Sequence, residues 1–468
     1  MVTTLETDYL VVGAGAMGMA FVDALLAGSD AEVVLVDRYH QPGGHWTVAY
    51  PYVRLHQPSA NYGVGSRELG SGYIDEVGGN KGLYELATAG EVCAYFDQVM
   101  RQQFLPSGRV SYLPKSEYDG DGRFHSLVTG ERFEVRVRRR VVDATYMKVL
   151  VPSMRPPAFE VAEDVECVSP NGLAAWRGPA AHYTVVGAGK TGVDACLWLL
   201  DNGVAPEELT WIMPRDAWYL DRANLQPGVD GSRWRGERQL ARHEMIMGAA
   251  SVVDLFDRLH AGGQLLRLSE QVRPSMYRCA TVTTAELAQL RRIRDVVRLG
   301  RVSSIGADIV KLDHGEIPAR PGTCYVDCTA DGLGKLPAVP VFGDDRITLQ
   351  PVVTCQQVFS AAFIGHLEAT HDGDDARKNV LAAPVPHPDT DTDWLRTTAE
   401  TNRQLLRWSA EPGVLDWLGR TRLTPMFREA ITDPAHQAKF IELIRDETEV
   451  LEKLLADHGS GRSGRNRS

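Results

Sequence analysis

The chain has 468 residues, a length typical of two or three domains rather than of a single hydrophobic core. Acidic residues outnumber basic ones by 61 to 50, and the net charge of -11 argues against a general nucleic-acid binder and against attraction to an anionic membrane. The longest strongly apolar stretch, residues 10–22, is too short and too rich in glycine to span a bilayer, and it lacks the features of a signal peptide. These properties predict a globular, cytoplasmic protein.

The chain begins with a strand–turn–helix–strand pattern. An apolar strand leads into a glycine-rich turn, a helix follows, and a second strand over residues 33–36 ends in an acid. In such units the three glycines permit a tight turn, a close approach of a pyrophosphate and close packing of helix on strand, and the helix N-terminus attracts the phosphates. An acid after the second strand accepts hydrogen bonds from ribose hydroxyls. The residues predicted to bind this dinucleotide are Gly13, Gly15, Ala16, Met17, Gly18 and Asp37.

The same pattern occurs a second time. A strand over residues 183–186 precedes the turn, a helix follows, and the strand over residues 210–213 leads into Arg215 instead of an acid. A guanidinium can bind a 2′-phosphate bidentately, whereas a carboxylate would repel it. The second unit therefore predicts NADP(H) rather than NAD(H), with Lys190 as a further phosphate ligand. The residues predicted to bind this nucleotide are Gly187, Gly189, Lys190, Thr191, Gly192 and Arg215.

Two such units in one chain predict two nucleotide cofactors, FAD and NADPH. We assign FAD to the first unit, because flavoproteins with two dinucleotide sites place it at the amino-terminal position.

Further motifs follow the first unit. Asp37-Arg38 precedes the segment Gly43-Gly44-His45-Trp46, and residues 50–58 contain the run Arg54-Leu55-His56-Gln57-Pro58. In these motifs the chain resembles the class B flavin-dependent monooxygenases, which include the flavin-containing monooxygenases, the plant YUCCA type and, more distantly, the Baeyer–Villiger enzymes. The segments 141–146 and 325–332 resemble the two crossings between the FAD and NADP domains of that family. The resemblance covers roughly residues 8–335.

The resemblance implies an α/β fold with two Rossmann-like dinucleotide-binding domains, the second inserted in the first. Apolar residues at helical spacing near the end of the chain predict a C-terminal helical extension. An insertion near residues 216–294 is long for a nucleotide unit, and we interpret it as loop elaboration or as part of a substrate entrance. The implied division is a first part of the FAD domain over residues 1–150, an NADP domain over 151–324, a second part of the FAD domain over 325–390, a helical extension over 391–458, and a disordered tail over 459–468.

The resemblance also implies an activity. The enzyme would reduce FAD with NADPH and use O2 to form a C4a-(hydro)peroxyflavin, which oxygenates a small molecule at nitrogen or sulfur. The polar candidates for catalysis are His56, Gln57 and Asn61. Further residues implied to contact the cofactor are Arg38, Gly44, His45, Trp46 and Arg54.

Other functions stay open because the Phe-x-Gly-x-x-x-His pattern of the family is absent; Phe159 is followed by Val161 and Val165. One alternative is an NADPH oxidoreductase or oxidase without oxygen insertion, and another is a non-catalytic NADP-binding flavoprotein. Disulfide reductases share the layout but need a redox-active cysteine pair, and the seven cysteines form no CxxC motif. No histidine cluster predicts a metal site. The apolar stripe of the last helix predicts a core contact or a subunit contact, which is compatible with a homodimer.

Overall fold

The computed structural model describes residues 2–227, 229–330, 336–371, 373–423 and 434–465. They form an α/β protein, which confirms the α/β part of the predicted fold class. The strands are β1 (Val2–Val12), β2 (Val33–Asp37), β3 (Val110–Pro114), β4 (Ser116–Gly120), β5 (Arg123–Ser126), β6 (Arg132–Asp143), β7 (Glu160–Val161), β8 (Cys167–Val168), β9 (His182–Val186), β10 (Leu209–Ile212), β11 (Ala217–Asp221), β12 (Leu265–Leu266), β13 (Met276–Val282), β14 (Asp295–Val297), β15 (Val302–Ile305), β16 (Ile309–Leu312), β17 (Gly315–Pro318), β18 (Thr323–Asp327) and β19 (Arg346–Thr348).

The helices connect and cover these strands. They are α1 (Ala16–Gly28), α2 (Ala89–Val99), α3 (Pro170–Ala175), α4 (Lys190–Asp201), α5 (Val229–Met247), α6 (Val252–Ala261), α7 (Thr284–Leu290), α8 (Gln357–Thr370), α9 (Asp375–Leu381), α10 (Asp391–Ser409), α11 (Pro412–Arg420) and α12 (Pro434–Arg465). In the part of the chain that these ranges cover, no helix combines the length and the apolar character needed to cross a membrane.

The first sheet has the strand order β3-β2-β1-β6-β5-β4. Strands β3, β2, β1 and β6 run in parallel, and every residue of β2 is buried, as expected for a parallel strand covered on both faces. The late strand β19 pairs in parallel with the end of β6, where Ile347 lies opposite Val142. Helix α8 packs on α1, and Gly365 allows this contact because a side chain there would collide with the Phe21 carbonyl. The sheet therefore combines residues from both ends of the chain.

The second sheet is entirely parallel, with the order β14-β10-β9-β18-β8. Its β9-α4-β10 unit repeats the β1-α1-β2 unit of the first sheet. In the first sheet β1 lies between β2 and the later strand β6, and in the second sheet β9 lies between β10 and the later strand β18. The predicted strand–turn–helix–strand pattern is therefore present twice. Two smaller sheets have the orders β12-β11-β13 and β17-β16-β15-β7.

The helices α10, α11 and α12 follow the second part of the first sheet. The apolar stripe of α12 packs inside the chain: Ile444, Leu451 and Leu454 are buried, the latter two in a cluster with Trp394 of α10. Residues 459–465, which composition predicts to be disordered, continue α12 as far as Arg465, and residues 466–468 lie outside the described chain. Extending an existing helix is far easier than starting one, which explains how a polar segment can continue it.

Candidate functional site

The first glycine turn has the geometry that a dinucleotide site needs. Gly13 has a φ of 104°, which disfavours any other residue, and a side chain at Gly18 would collide with the Gly13 carbonyl oxygen. Ala16 and Met17 begin helix α1 directly after the turn. Asp37, at the end of β2, accepts hydrogen bonds from the backbone amides of Ala14, at 2.5 Å, and Tyr39, at 2.7 Å. These bonds hold the acid beside the turn.

Burial raises the pKa of Asp37 above its ordinary value, although both backbone amides oppose that shift. Each carboxylate oxygen has used one of its lone pairs in these bonds and retains another for a ligand hydroxyl.

The segment Gly43–Trp46 lies against the same turn, as the resemblance implies. The Gly43 amide donates to the Ala14 carbonyl at 2.9 Å, and a side chain at Gly44 would come within 2.9 Å of the Gly15 Cα atom. Trp46 donates from its indole nitrogen to the Tyr62 hydroxyl at 2.8 Å and stacks on His45 with ring centroids 5.4 Å apart. Burial lowers the pKa of His45 to about 4, so its imidazole is neutral at physiological pH.

The second glycine turn repeats the first. Gly187 has a φ of 128°, and a side chain at Gly192 would collide with the Gly187 carbonyl oxygen. Gly189 differs, because no heavy atom outside its chain neighbours lies within 4 Å of the position a Cβ would take. The turn thus leaves open space in front of the N-terminus of α4, where Lys190 and Thr191 are the first residues. Lys190 pairs with Asp194 one turn further on.

An Asp-x-Thr sequence stands beside each glycine turn. After β6, Asp143 accepts hydrogen bonds from the amide and hydroxyl of Thr145, at 2.9 and 2.7 Å. After β18, Asp327 does the same for Thr329, at 3.0 and 2.5 Å. Both lie in the segments that resemble the family crossings. Both segments contact the first glycine of the adjacent turn: a side chain at Gly13 would come within 3.0 Å of Thr145, and one at Gly187 within 2.7 Å of the Cys328 carbonyl oxygen. This internal repeat accounts for the similarity between the two sequence segments.

Arg215 is engaged by another side chain of the protein. Its guanidinium lies 2.8 Å from Asp389, which Arg278 also contacts, at 2.7 Å. The neighbouring Asp216 is held in the same way by Arg298, at 2.7 Å. Arg215 and Arg278 thus share Asp389, and Arg298 pairs with Asp216, just after the end of β10.

The segment between the first turn and His56 reaches the second unit. The Tyr50 hydroxyl donates to Asp194 of α4 at 2.7 Å, and the ring of Tyr52 stacks on Trp198 of the same helix at 4.9 Å. These contacts place the segment of the predicted flavin site beside the N-terminal half of the helix predicted to bind the nicotinamide nucleotide.

His56 lies within this segment, and its Nδ1 atom is buried without a hydrogen-bond partner among the described residues. Burial, together with the charges of Lys190, Arg222 and His387, lowers its pKa to about 3. Arg222, from the insertion, is fully buried and holds the backbone of His56 in place: it donates to the His56 carbonyl at 3.2 Å and pairs with Glu286 at 3.0 Å. This positioning residue was not predicted, because its partners lie far away in sequence.

The other predicted residues are less closely grouped. Asn61 is buried and lies 3.5 Å from the Leu225 carbonyl, and Gln57 is half-buried next to His56. Arg54 is exposed and donates to the Leu86 carbonyl at 3.3 Å, while Arg38 forms an exposed ion pair with Glu117. The structure thus brings His56, Gln57 and Asn61 into one region but leaves Arg38 and Arg54 on its outside.

A cysteine pair that the sequence does not indicate is also present. Cys279 on β13 and Cys355 ahead of α8 form a disulfide, and His387 lies 3.6 Å from the Cys355 sulfur. His387 also lines a cavity of about 920 Å³. Other residues that line this cavity are Tyr146, Met147, Gln350, Pro351, Asp389 and Arg403.

Comparison with known proteins finds relatives to which no activity is assigned. The chain is 58% identical over 420 residues to the uncharacterized protein Rv2000 of Mycobacterium tuberculosis (strain ATCC 25618 / H37Rv), a match that covers 90% of this chain and 78% of the relative. The uncharacterized protein Mb2023 of Mycobacterium bovis matches with the same identity and coverage. No family model matches the chain.

Solved structures with a similar course of the chain are flavoenzymes. A closed crystal structure of cyclohexanone monooxygenase has a TM-score of 0.48 and 15% identity, covering 95% of this chain and 98% of that one. A flavin-containing monooxygenase from Stenotrophomonas maltophilia has a TM-score of 0.45 and 14% identity, covering 78% and 98% of the two chains. A crystal structure of OTEMO in complex with FAD and NADP has a TM-score of 0.44 and 12% identity, covering 94% and 98%. Similarity at this level does not bear on the activity of the chain.

Proposed function

We propose that this chain, which belongs to the same protein family as the uncharacterized protein Rv2000 of Mycobacterium tuberculosis, is an FAD- and NADPH-dependent monooxygenase. Its substrate would be a small molecule oxygenated with O2 at nitrogen or sulfur. The observation that carries the proposal is the pair of glycine turns. Each turn lies at the carboxyl end of parallel strands and is followed by a helix, α1 or α4. The segment that contains His56 contacts α4 through Tyr50 and Tyr52. When bound, the two cofactors would supply hydride transfer and the activation of O2.

The first turn supports FAD as its ligand. Because Gly18 has no side chain, helix α1 can pack close to the Gly13 carbonyl. The free amides at the N-terminus of the helix can then point at the turn. Asp37 retains free lone pairs beside the turn, where they could accept hydrogen bonds from a ribose. The Gly43–Trp46 segment lies against the turn at Gly15. We propose that the backbone of Gly13–Gly18 binds the pyrophosphate and that Asp37 binds the adenosine ribose.

The second turn supports NADPH as its ligand. The open space before Gly189 gives a pyrophosphate access to the helix N-terminus. The guanidinium groups of Arg215, Arg278 and Arg298 lie just after the end of β10, where they could bind a 2′-phosphate. Binding through Arg215 would require its guanidinium to exchange Asp389 for the phosphate or to hold both.

His56 stands between the two units. The charge of Lys190, at the start of α4, helps to lower the pKa of His56, which supports a role for His56 near the second nucleotide site. Because its pKa is far below neutrality, we propose that His56 acts as a neutral hydrogen-bonding group that positions a cofactor, with Gln57 and Asn61 beside it. The unpartnered Nδ1 atom is the feature that supports this role.

We further propose that the units correspond to domains as the resemblance implies: an FAD domain over residues 1–150 and 325–390, an NADP domain over 151–324, and a helical extension beyond. The pairing of β19 with β6 supports the return of the chain to the first sheet. The boundary at residue 325 has to move, because β18 pairs with β8 and β9 of the second sheet as far as Asp327.

Oxygen insertion is to be distinguished from simple reoxidation of the flavin. Protein reduced with NADPH is mixed in a stopped-flow instrument with oxygenated buffer, and the absorbance of the flavin is followed. A long-lived oxygenated form of the flavin is the expected result. Immediate reoxidation with one hydrogen peroxide per flavin, with amine and sulfide substrates present, would instead establish an NADPH oxidase. Bound flavin that NADPH does not reduce would favour a non-catalytic NADP-binding flavoprotein.

A further inference from the structure

Cys279 and Cys355 are separated by 76 residues in sequence but are joined in the structure. Cys279 lies in β13, where three residues face a single residue of β11, so that the strand bulges at the cysteine. Cys355 lies in the segment between β19 and α8, and its neighbour Thr354 is anchored to Thr401 of α10 at 2.9 Å. The disulfide therefore joins the small sheet of β11–β13 to the segment that leads into α8, a helix that packs on α1.

The backbone at both cysteines is unusual. Cys279 has a φ of 55° and Cys355 a φ of 60°, in the left-handed region that side chains with a Cβ disfavour. Apart from glycines, the other described residues with a positive φ are Lys115, Asp121 and Lys148. All three are exposed, whereas Cys279 is buried and Cys355 is half-buried. Backbone strain at two linked, partly enclosed residues is typical of functional sites rather than of structural cross-links.

His387 completes the site. Its Nδ1 atom lies 3.1 Å from the Pro388 carbonyl oxygen, which can only accept, so the proton of the neutral ring is on Nδ1. The Nε2 atom therefore presents a lone pair to the Cys355 sulfur, 3.6 Å away. The chain around His387 is fixed, because the Tyr277 amide donates to the Asp389 carbonyl at 3.0 Å.

The two sulfurs differ in exposure. Cys279 is buried at 7% exposure, whereas Cys355 is half-buried and precedes the N-terminus of α8 by two residues. A helix N-terminus and an adjacent imidazole both favour a thiolate. His387 lines the 920 Å³ cavity.

We propose that Cys279, Cys355 and His387 form a thiol–disulfide redox centre, with Cys355 as the nucleophile and Cys279 as the resolving thiol. Its oxidant is hydrogen peroxide and its reductant is a dithiol. This proposal does not depend on the proposed flavin chemistry.

In the oxidation, the Cys355 proton moves to Nε2 of His387 and the thiolate attacks one oxygen of hydrogen peroxide. The sulfur–oxygen bond forms, the oxygen–oxygen bond breaks, and hydroxide leaves with the proton of His387 as water. The Cys279 thiol then attacks the Cys355 sulfur, the disulfide forms, and a second water leaves. The two cysteines lose two electrons and the peroxide gains them.

In the reduction, a thiolate of the dithiol attacks the sulfur of the half-buried Cys355, and Cys279 leaves as a thiolate. The second thiol of the reductant then resolves the mixed disulfide and is itself oxidised. Cys279 and Cys355 take up the two protons. Reduction removes the covalent link between β13 and the segment ahead of α8.

The test uses the full-length protein. It is equilibrated in buffers with rising ratios of reduced to oxidised glutathione, alkylated with iodoacetamide, and analysed by peptide mass spectrometry. We expect Cys279 and Cys355 to become alkylated together in excess reduced glutathione. In a second, reduced sample from which glutathione is removed before alkylation, we expect the disulfide to re-form within minutes of adding one equivalent of hydrogen peroxide. A pair that stays oxidised throughout would be a structural cross-link and would overturn the proposal.

The role of His387 is tested in the Cys279→Ser background, where Cys355 is a free thiol. Cys167 is the internal control, because it is also half-buried and burial raises the pKa of its thiol to about 12. At neutral pH we expect Cys355 to be alkylated at least about ten times faster than Cys167, and His387→Gln to remove about ten-fold of that rate. Equal rates for the two cysteines, or no effect of His387→Gln, would contradict the assignment.

The three side chains also match the ligands of a zinc ion, since their ligand atoms lie within 4.8 Å of one another. Metal analysis of protein prepared under reducing conditions separates the two chemistries. We expect no stoichiometric zinc and full alkylation of both cysteines. One zinc per chain that protects Cys279 and Cys355 from iodoacetamide would overturn the redox proposal.

Discussion

Replacing Gly189 with alanine is expected to weaken NADPH binding without weakening the fold. Gly189 precedes helix α4 with φ -78° and ψ -179°, a conformation open to alanine, and no atom lies within 4 Å of the new Cβ. Alanine at a helix N-cap destabilises the folded protein by about 0.5–1 kcal/mol relative to glycine. Alanine also lowers the conformational entropy of the unfolded chain, which stabilises the folded protein by about 0.4–1 kcal/mol. The free energy of unfolding should therefore change by less than about 1 kcal/mol.

The effect on the nucleotide has a different origin. The methyl group would occupy the open space through which a pyrophosphate approaches the amides at the start of α4. A hydrogen bond to a charged group contributes about 1.5–3 kcal/mol, so the loss of one such bond raises the Kd for NADPH roughly 10- to 100-fold.

Calorimetric titration with NADPH and urea unfolding of the same preparation measure the two quantities. Gly413→Ala is the matched control, since Gly413 also has open space around its Cβ position but lies near the start of α11 on the surface. A Gly189→Ala protein that is as stable as the control and binds NADPH with unchanged affinity would refute the assignment of this turn.

Three further outcomes are expected. Arg215→Ala should raise the KM for NADPH at least about ten-fold more than the KM for NADH, and equal effects would exclude Arg215 as a ligand of the 2′-phosphate. Gly192→Ala should lower the free energy of unfolding by more than about 2 kcal/mol, because the new methyl group meets the Gly187 carbonyl; a stability equal to that of Gly413→Ala in urea would contradict that packing. His56 has a lower pKa in the folded than in the unfolded protein, so the unfolded chain binds protons first and stability falls as the pH drops below about 6.5. His56→Gln should therefore lose less stability than the wild type between about pH 7.5 and about pH 5 in urea titrations, and equal losses would show that His56 is protonated in the folded state.

Local patterns in the sequence predict the two strand–turn–helix–strand units well. The glycines at positions 13, 18, 187 and 192 have conformations or contacts that only glycine allows, so the residue type itself encodes the turn. The repeated Asp-x-Thr sequence at Asp143 and Asp327 is likewise visible in the sequence. In each copy the acid accepts a hydrogen bond from the amide of the threonine two residues later.

Contacts between distant segments were not predictable in this way. The pairing of Arg215 with Asp389 spans 174 residues, and the contact of Arg222 with the His56 carbonyl spans 166. The cysteine pair depends on a bulge in β13 and on the course of the chain before α8, neither of which has a motif. Such contacts arise from the packing of the two units on each other, and local periodicity carries no information about it.

The central claim is that one chain binds FAD at its first unit and NADPH at its second and transfers hydride between them. Its most direct test is to load the protein with FAD, mix it anaerobically with NADPH, and follow the loss of oxidised flavin absorbance. The account predicts one bound FAD per chain and full bleaching by one equivalent of NADPH, faster than by NADH. Failure to retain FAD, or bound FAD that NADPH does not reduce, would contradict it.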